Sequence, residues 1–413
     1  MPKAQVTPRA RHVHYCAVTL NLTNLRNFRL PVKVAARRML LHQRAKTTYM
    51  SSPVSSVVTR FAYSISQLLR VAWYLGHGLA LRRLSEAARQ REGSQSRARR
   101  RAHTDAPVPD RDYIYSETIR LFIQDLANVE AGIYPVPADH DGSLLTLIHR
   151  SRLFFEDLPN IHRRRERRAY NEVLSTETRG KWPSYSLQNF HFQSGGWMTE
   201  DSAERYDTQV EVLLNGAANA IRQQALPQLH EAFAGRDQRK LRLLDIGCGT
   251  GRFLDFVKQT WPRLRTIGLD MSEAYLKHAQ RHLKRWTRIG FVVGKAEALP
   301  LPDNSQDAVT NVFLFHELPP KVRRITIREC ARVLKPGGRL VILDSLQRGD
   351  RPDYDGLLEL FPQNYHEPFY SSFINENFSA LAADCDLKPV RNVKAFVSKV
   401  MVFDKLPTRK GKG

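Results

Sequence analysis

LLDIGCGTGRFL, residues 243–254, decides the fold: an apolar strand closes on Asp245 and then runs through Gly247, Gly249 and Gly251 into a helix. Glycine is required at such a junction because the backbone turns sharply and lets a ligand come close. The amides at the start of the following helix favour whatever carries negative charge, a phosphate or a carboxylate. G-x-G-x-G alone does not separate this loop from the G-x-G-x-x-G of dinucleotide-binding folds. Two acids do. Asp245 would repel a pyrophosphate but can anchor an amino group. Asp270, nineteen residues after Gly251, ends the next apolar run, where a carboxylate can accept ribose hydroxyls.

A ligand with an amino acid at one end and a ribose at the other meets both acids, and S-adenosylmethionine is such a molecule. The surrounding rhythm agrees. Residues 241–246, 266–270, 291–294, 307–313 and 339–344 read as buried strands, and 251–260, 272–286 and 321–334 as helices. Alternation of this kind predicts an α/β fold with a mostly parallel sheet covered on both faces. Lys335-Pro336-Gly337-Gly338 reads as a turn between helix and strand, and Cys248 as a small filler within the loop.

Residues 241–345 resemble a class I S-adenosylmethionine-dependent methyltransferase, and within that class the ubiquinone/menaquinone-biosynthesis C-methyltransferase type. The resemblance rests on LLDIGCGTG (243–251), IGLDMS (267–272), AEALPLPDNSQDAVT (296–310) and RVLKPGGRLVILD (332–344), in order and at the right spacing. It implies a Rossmann-like sheet of seven strands, here with a helical N-terminal extension. It also implies that Asp245, Gly247 and Gly249 cradle the methionine part of the cofactor and that Gly251 opens the following helix. Asp270 would bind the ribose hydroxyls, Met271 the adenine face, and Ala296 and Glu297 the adenine edge. Asn311 would face the methionine carboxylate or amino group, and Tyr206 would cover the cofactor from a helix starting just before the first strand. Two departures stand out: Lys295 occupies a place where the family often has an acid, and the quinone enzymes' Phe-Gly-Leu-Arg-Asn is Phe313-Leu-Phe-His316-Glu317 here. His316 falls where open α/β sheets bind ligands. It either removes a substrate proton or is a hydrogen-bonded structural histidine; His191 has the weaker claim, and if His316 only packs, the base is to be sought at His191, His366 or Glu367.

The charge is unevenly spread. The 413 residues carry a formal net charge of +23, yet residues 1–110 hold 20 Lys/Arg against 4 Asp/Glu. Basicity therefore describes an extension more than the motif-bearing domain. Residues 1–49 lack acids and serine, which leaves open an organellar transit peptide, a disordered arm or an upstream extension. Residues 57–83 read as an amphipathic helix with Phe61, Ile65, Leu68, Ala72, Leu75 and Leu79 on one face. That face meets either an anionic membrane or the protein's own core.

The expected organisation is a basic arm (1–56), a helix and charged linker (57–110), a helical, aromatic-rich region serving as a lid (111–235), and a methyltransferase domain (236–405) with an insertion at 346–386. Basic residues 163–168 read as a solvated face. The net-negative insertion, with Tyr354, Phe361, Tyr365 and Tyr370, suits an uncharged or cationic ring better than a polyphosphate. The leading expectation is methyl transfer to carbon or oxygen of a small or lipid-like, quinone or phenolic acceptor. An RNA methyltransferase using the basic region is the alternative, but neither an Asn-Pro-Pro-Tyr-type tetrapeptide nor a Pro-Cys nucleophile is present. A non-catalytic scaffold would have little reason to keep both the glycine loop and Asp270. Four scattered cysteines without C-x-x-C suit a reducing, cytoplasmic compartment, and no metal site is expected. Oligomeric state is left open.

Overall fold

The computed structural model describes residues 53–91, 102–138, 142–176 and 178–407. Its frame is a seven-stranded sheet: β1 (Arg242–Ile246), β2 (Arg265–Asp270), β3 (Ile289–Val293), β4 (Gln306–Val312), β5 (Leu334–Ser345), β6 (Leu387–Ala395) and β7 (Ser398–Lys405), in the order β3-β2-β1-β4-β5-β7-β6. Strands β1 to β5 are parallel, whereas β7 runs antiparallel to both β5 and β6. Successive residues of β5 explain the two covered faces. Val341 and Leu343 join one apolar core with Leu243 and Val402, while Leu340 and Ile342 join the other with Leu244 and Met401. The outer strand β6 is exposed at Lys388, Arg391 and Lys394 and interrupted at Pro389, features that discourage further strand pairing.

The helices are α1 (Pro53–Arg91), α2 (Arg111–Glu130), α3 (Leu144–Arg167), α4 (Glu200–Leu213), α5 (Ala218–Gln223), α6 (Leu226–Phe233), α7 (Arg252–Thr260), α8 (Glu273–His282), α9 (Pro320–Val333), α10 (Asp355–Asn364), α11 (Tyr370–Phe373) and α12 (Phe378–Ala383). Three sequence expectations need adjusting. Gly337 and Gly338 lie inside β5, at a register break where Gln306 pairs with Leu334 but Ala308 pairs with Arg339. The glycines let the strand bulge without losing its direction. Helix α8 stops at His282, short of residue 286. Tyr206 lies in the middle of α4, which Thr199 caps, and α5 and α6 intervene before β1.

Helix α1 uses its faces differently from the sequence reading. The first part of the chosen stripe points outward: Phe61 is 67% and Leu68 68% exposed, with Ile65 and Ala72 also exposed, whereas Leu75 and Leu79 are half-buried. The packed face is the more polar one. Tyr63 donates to Asp125 of α2 at 2.6 Å, and Arg70 pairs with Glu211 of α4 and donates to the Gly216 carbonyl at 2.7 Å. His77 bridges the Trp73 carbonyl and Ser151 of α3, each at 2.8 Å. Burial of polar groups is tolerated because each finds a partner. One face of α1 thus packs on the protein, with Tyr74 in a small apolar core beside Phe154 and Leu158, and Val57, Phe61, Ile65 and Leu68 have no cover among the described residues.

The 91–110 linker is described from residue 102, where the Pro107 carbonyl accepts from the Gly356 amide at 2.8 Å and Thr104 meets Glu359 of α10. These residues pack on the insertion. Within 163–168, Arg164 donates to the Phe192 carbonyl at 3.2 Å and Arg165 lies over the Tyr365 ring, so part of that basic run is structural. No helix of the described residues is long and apolar enough to cross a membrane. Residues 1–49, with the transit-peptide expectation, lie outside the described residues.

Candidate active site

The glycine loop sits where β1 ends. Gly247, Gly249 and Gly251 all have positive φ, at 66°, 53° and 78°. Their reasons differ. A side chain on Gly251 would strike Leu283 at 2.7 Å, so this glycine serves packing of α7 against α8. A Cβ on Gly249 would meet only Tyr275, at 4.0 Å, so the space above it is open for a ligand. The Gly249 amide donates to Asp270 Oδ2 at 2.9 Å and the Ser272 amide to Oδ1 at 2.8 Å. The carboxylate is thereby fixed while keeping lone pairs for ribose hydroxyls. Burial pushes its pKa up.

Asp245 is buried beneath the loop and accepts from Thr310 at 2.7 Å. Burial raises its pKa to about 7, against the opposing hydrogen bond from Thr310. A cationic amino group placed there would restore the carboxylate. Asn311 donates to the Ile246 carbonyl at 2.8 Å, leaving its own buried Oδ1 without a partner. Such an oxygen is an acceptor waiting for a donor. Open space at Gly249, an unsatisfied acceptor at Asn311 and a carboxylate short of a cation together fit the amino-acid end of S-adenosylmethionine. Cys248 is buried, and burial holds its thiol well above its usual range, in keeping with a filler.

Met271 and Ala296 stand at the carboxyl ends of β2 and β3, where the adenine was expected. Glu297 does something the sequence could not indicate: both carboxylate oxygens lie 2.9 Å from the Tyr185 hydroxyl. It ties the aromatic segment to the sheet end. Asp207, next to Tyr206, takes Thr250 at 2.9 Å and Arg252 at 3.0 Å, docking α4 on the glycine loop. Tyr206, Trp197 and Tyr275 pack edge-to-face with ring centres 5.4–5.9 Å apart.

Beyond these rings lies a cavity of about 150 Å³. The aromatic segment supplies His191 and Trp197, the end of β4 supplies Phe313 and His316, and the insertion supplies Phe361 and Tyr370. Phe396, Val397 and Ser398, from the β6–β7 hairpin, also line it and were not anticipated. His191 and Phe313 adopt left-handed backbone at φ 55° and 58°, a costly conformation found at sites the surrounding structure over-determines.

The polar groups gather at one end. His316 Nδ1 lies 2.6 Å from Asp344 Oδ1, which leaves Nε2 free, 3.9 Å from Glu317 Oε1. Burial alone would lower the His316 pKa, but Asp344, Glu367 and Glu317 hold it up, to about 10. Trp197 donates to Glu317 Oε2 at 3.0 Å, while burial and the neighbouring Glu367 push Glu317 well above the carboxylate range. Glu367 completes the group from the loop between α10 and α11. His316 and Glu317 are adjacent in sequence, but nothing there shows that a residue fifty positions later returns to them.

Residues 243–338 match the family described as methyltransferase domain. The chain is 33% identical over 178 residues to a demethylmenaquinone methyltransferase of Thermotoga maritima, an alignment spanning 43% of this chain and 72% of that protein. It is 32% identical over 187 residues to the demethylmenaquinone methyltransferase of Thermus thermophilus, spanning 44% and 79%. A solved SAM dependent methyltransferase from Aquifex aeolicus aligns at 20% identity with a TM-score of 0.34, over 44% of this chain and 89% of that one, and carries no argument at that score. The two bacterial enzymes are matched over more than two thirds of their own length, the family match covers the glycine loop and Asp270, and the chain belongs to the class I S-adenosylmethionine-dependent methyltransferases of the ubiquinone/menaquinone type.

Proposed function

We propose that this enzyme methylates a lipid-like ring acceptor, a quinone or phenol, at carbon or oxygen. The observation that carries the reading is the cavity beside Tyr206 and Trp197, mostly apolar along its walls, with His191, His316 and Glu317 as its imidazole and carboxyl groups. Such a cavity buries a ring and orients it by one polar edge. Relatives named as quinone and fatty-acid methyltransferases point the same way. When bound, S-adenosylmethionine supplies an already activated methyl group, so positioning in a water-excluding pocket does much of the work.

Asp245, Asn311 and Asp270 hold the cofactor, with Gly249 leaving it room and Tyr206 covering it. His316, oriented by Asp344, is the polar group set against the acceptor's reacting edge. The uncovered apolar residues of α1, Val57, Phe61, Ile65 and Leu68, are proposed to rest on a membrane from which such an acceptor comes.

Incubation with radiolabelled S-adenosylmethionine and cell extract tests the reading. Label should enter the lipid fraction. Label confined to RNA, protein or water-soluble products would refute it.

A further inference from the structure

We propose that His316, Glu317 and Glu367 form a binding site for one divalent cation at the polar end of the acceptor cavity. One ligand atom from each lies within 4.8 Å of the other two, close enough to converge on a single ion. The donors come from two separate parts of the chain, the end of β4 and the insertion, so their convergence is a tertiary feature.

Each donor is already arranged as a ligand would be. Asp344 holds His316 Nδ1 at 2.6 Å, leaving Nε2 to take a cation in place of its proton. A carboxylate behind a histidine in this way fixes the ring for metal binding. The Trp197 indole holds one oxygen of Glu317 at 3.0 Å, so the other, Oε1, is the one near His316. Glu367 is only 3% exposed, and neither of its oxygens accepts a hydrogen bond. His191 Nε2 stands 2.6 Å from Oε1, but out of hydrogen-bond alignment. Beyond that one ion-pair contact, the buried carboxylate accepts no hydrogen bond and lacks a further partner.

Charge points to a cation as that partner. Glu317, Glu367 and Asp344 gather around His316 and His191 at one end of a cavity whose lining, among the described residues, includes no lysine or arginine, so three carboxyls face two imidazoles. Two carboxylate oxygens and an imidazole nitrogen suit manganese, iron(II) or zinc, which accept mixed oxygen and nitrogen donors. Three protein ligands leave coordination positions open, as catalytic metal sites do. Because Glu317 and His316 line the cavity, an open position would take an oxygen of the acceptor. That makes an acceptor hydroxyl the stronger acid, its proton passing to water. The role toward the acceptor rests on the proposed function; the cation site does not.

The test uses the full chain, stripped with a chelator and titrated with Mn2+. Free Mn2+ is followed by electron paramagnetic resonance and Trp197, through its bond to Glu317, by fluorescence. One Mn2+ per chain is expected, with affinity at least about tenfold weaker in Glu367→Gln and in Glu317→Gln, while both variants still bind S-adenosylmethionine. No Mn2+ bound by the unaltered chain, or equal affinity in both variants, would overturn the site. Methyl transfer to lipid that persists under chelation, with no Mn2+ bound, removes the cation and keeps the proposed function. Mn2+ bound at one per chain with no label in lipid keeps the site and removes the acceptor reading.

Discussion

The Gly249 amide donates to Asp270 Oδ2 at 2.9 Å, so the glycine loop and the acid that ends β2 form one rigid unit. Asp270→Ala should therefore harm cofactor binding twice, by deleting the ribose acceptor and by releasing the loop. A loss of about 3 kcal/mol, or roughly a hundredfold, is expected from charged hydrogen bonds. Gly249→Val should abolish binding outright, because the side chain fills ligand space and strains a backbone at φ 53°. Calorimetric titration with S-adenosylmethionine checks both, and undiminished affinity in the pair would contradict the site.

Cofactor binding should also depend on pH through Asp245. In the free protein burial raises this carboxyl to about 7, and the cofactor's amino group favours its ionised form. Binding must then expel a proton when the pH lies below about 7. Affinity should climb as pH rises from about 5 to 7 and level off above it. Proton release, measured by calorimetry in buffers of differing ionisation enthalpy, should vanish in Asp245→Asn.

The N-terminal helices are joined through Asp125, which accepts the hydroxyls of Tyr63 and Tyr134 at 2.6 Å each. Asp125→Ala leaves both hydroxyls without that partner in the interior. A loss of about 3 kcal/mol is expected from two such groups. Urea denaturation measures it; a change below about 0.5 kcal/mol would mean the junction contributes little.

Truncating through residue 90 would be a poor probe of membrane contact, because it also removes Arg70 from Glu211 and His77 from Ser151. Point changes on the outer face avoid this. Phe61→Asp with Leu68→Asp should leave thermal stability and cofactor affinity unchanged and reduce sedimentation with anionic vesicles severalfold. Vesicle recovery equal to that of the unaltered chain would leave the face without a membrane role.

The parallel sheet, the glycine loop and both acids were legible because each is a local pattern. A buried strand is a short apolar run, and a glycine turn needs glycine at fixed positions whatever lies around it. The acceptor end was legible only in part. The aromatic segment, the strand end at His316 and the insertion could each be recognised, and folding brought them around one cavity with the β6–β7 hairpin. Their pairings could not be read. Tyr185 and Glu297 are 112 positions apart, and Glu367 reaches Glu317 only because the insertion folds back over β4.

Helix α1 shows the same division most clearly. Periodicity revealed an amphipathic helix, yet the face turned inward carries Tyr63, Arg70, Tyr74 and His77, and Phe61, Ile65 and Leu68 of the apolar stripe are left outside. Sequence determined that the helix has two faces. Which face is buried was decided by the partners waiting for it, Asp125, Glu211 and Ser151, because a polar group can be buried wherever its hydrogen bonds are met, and apolar periodicity carries no record of where those bonds are.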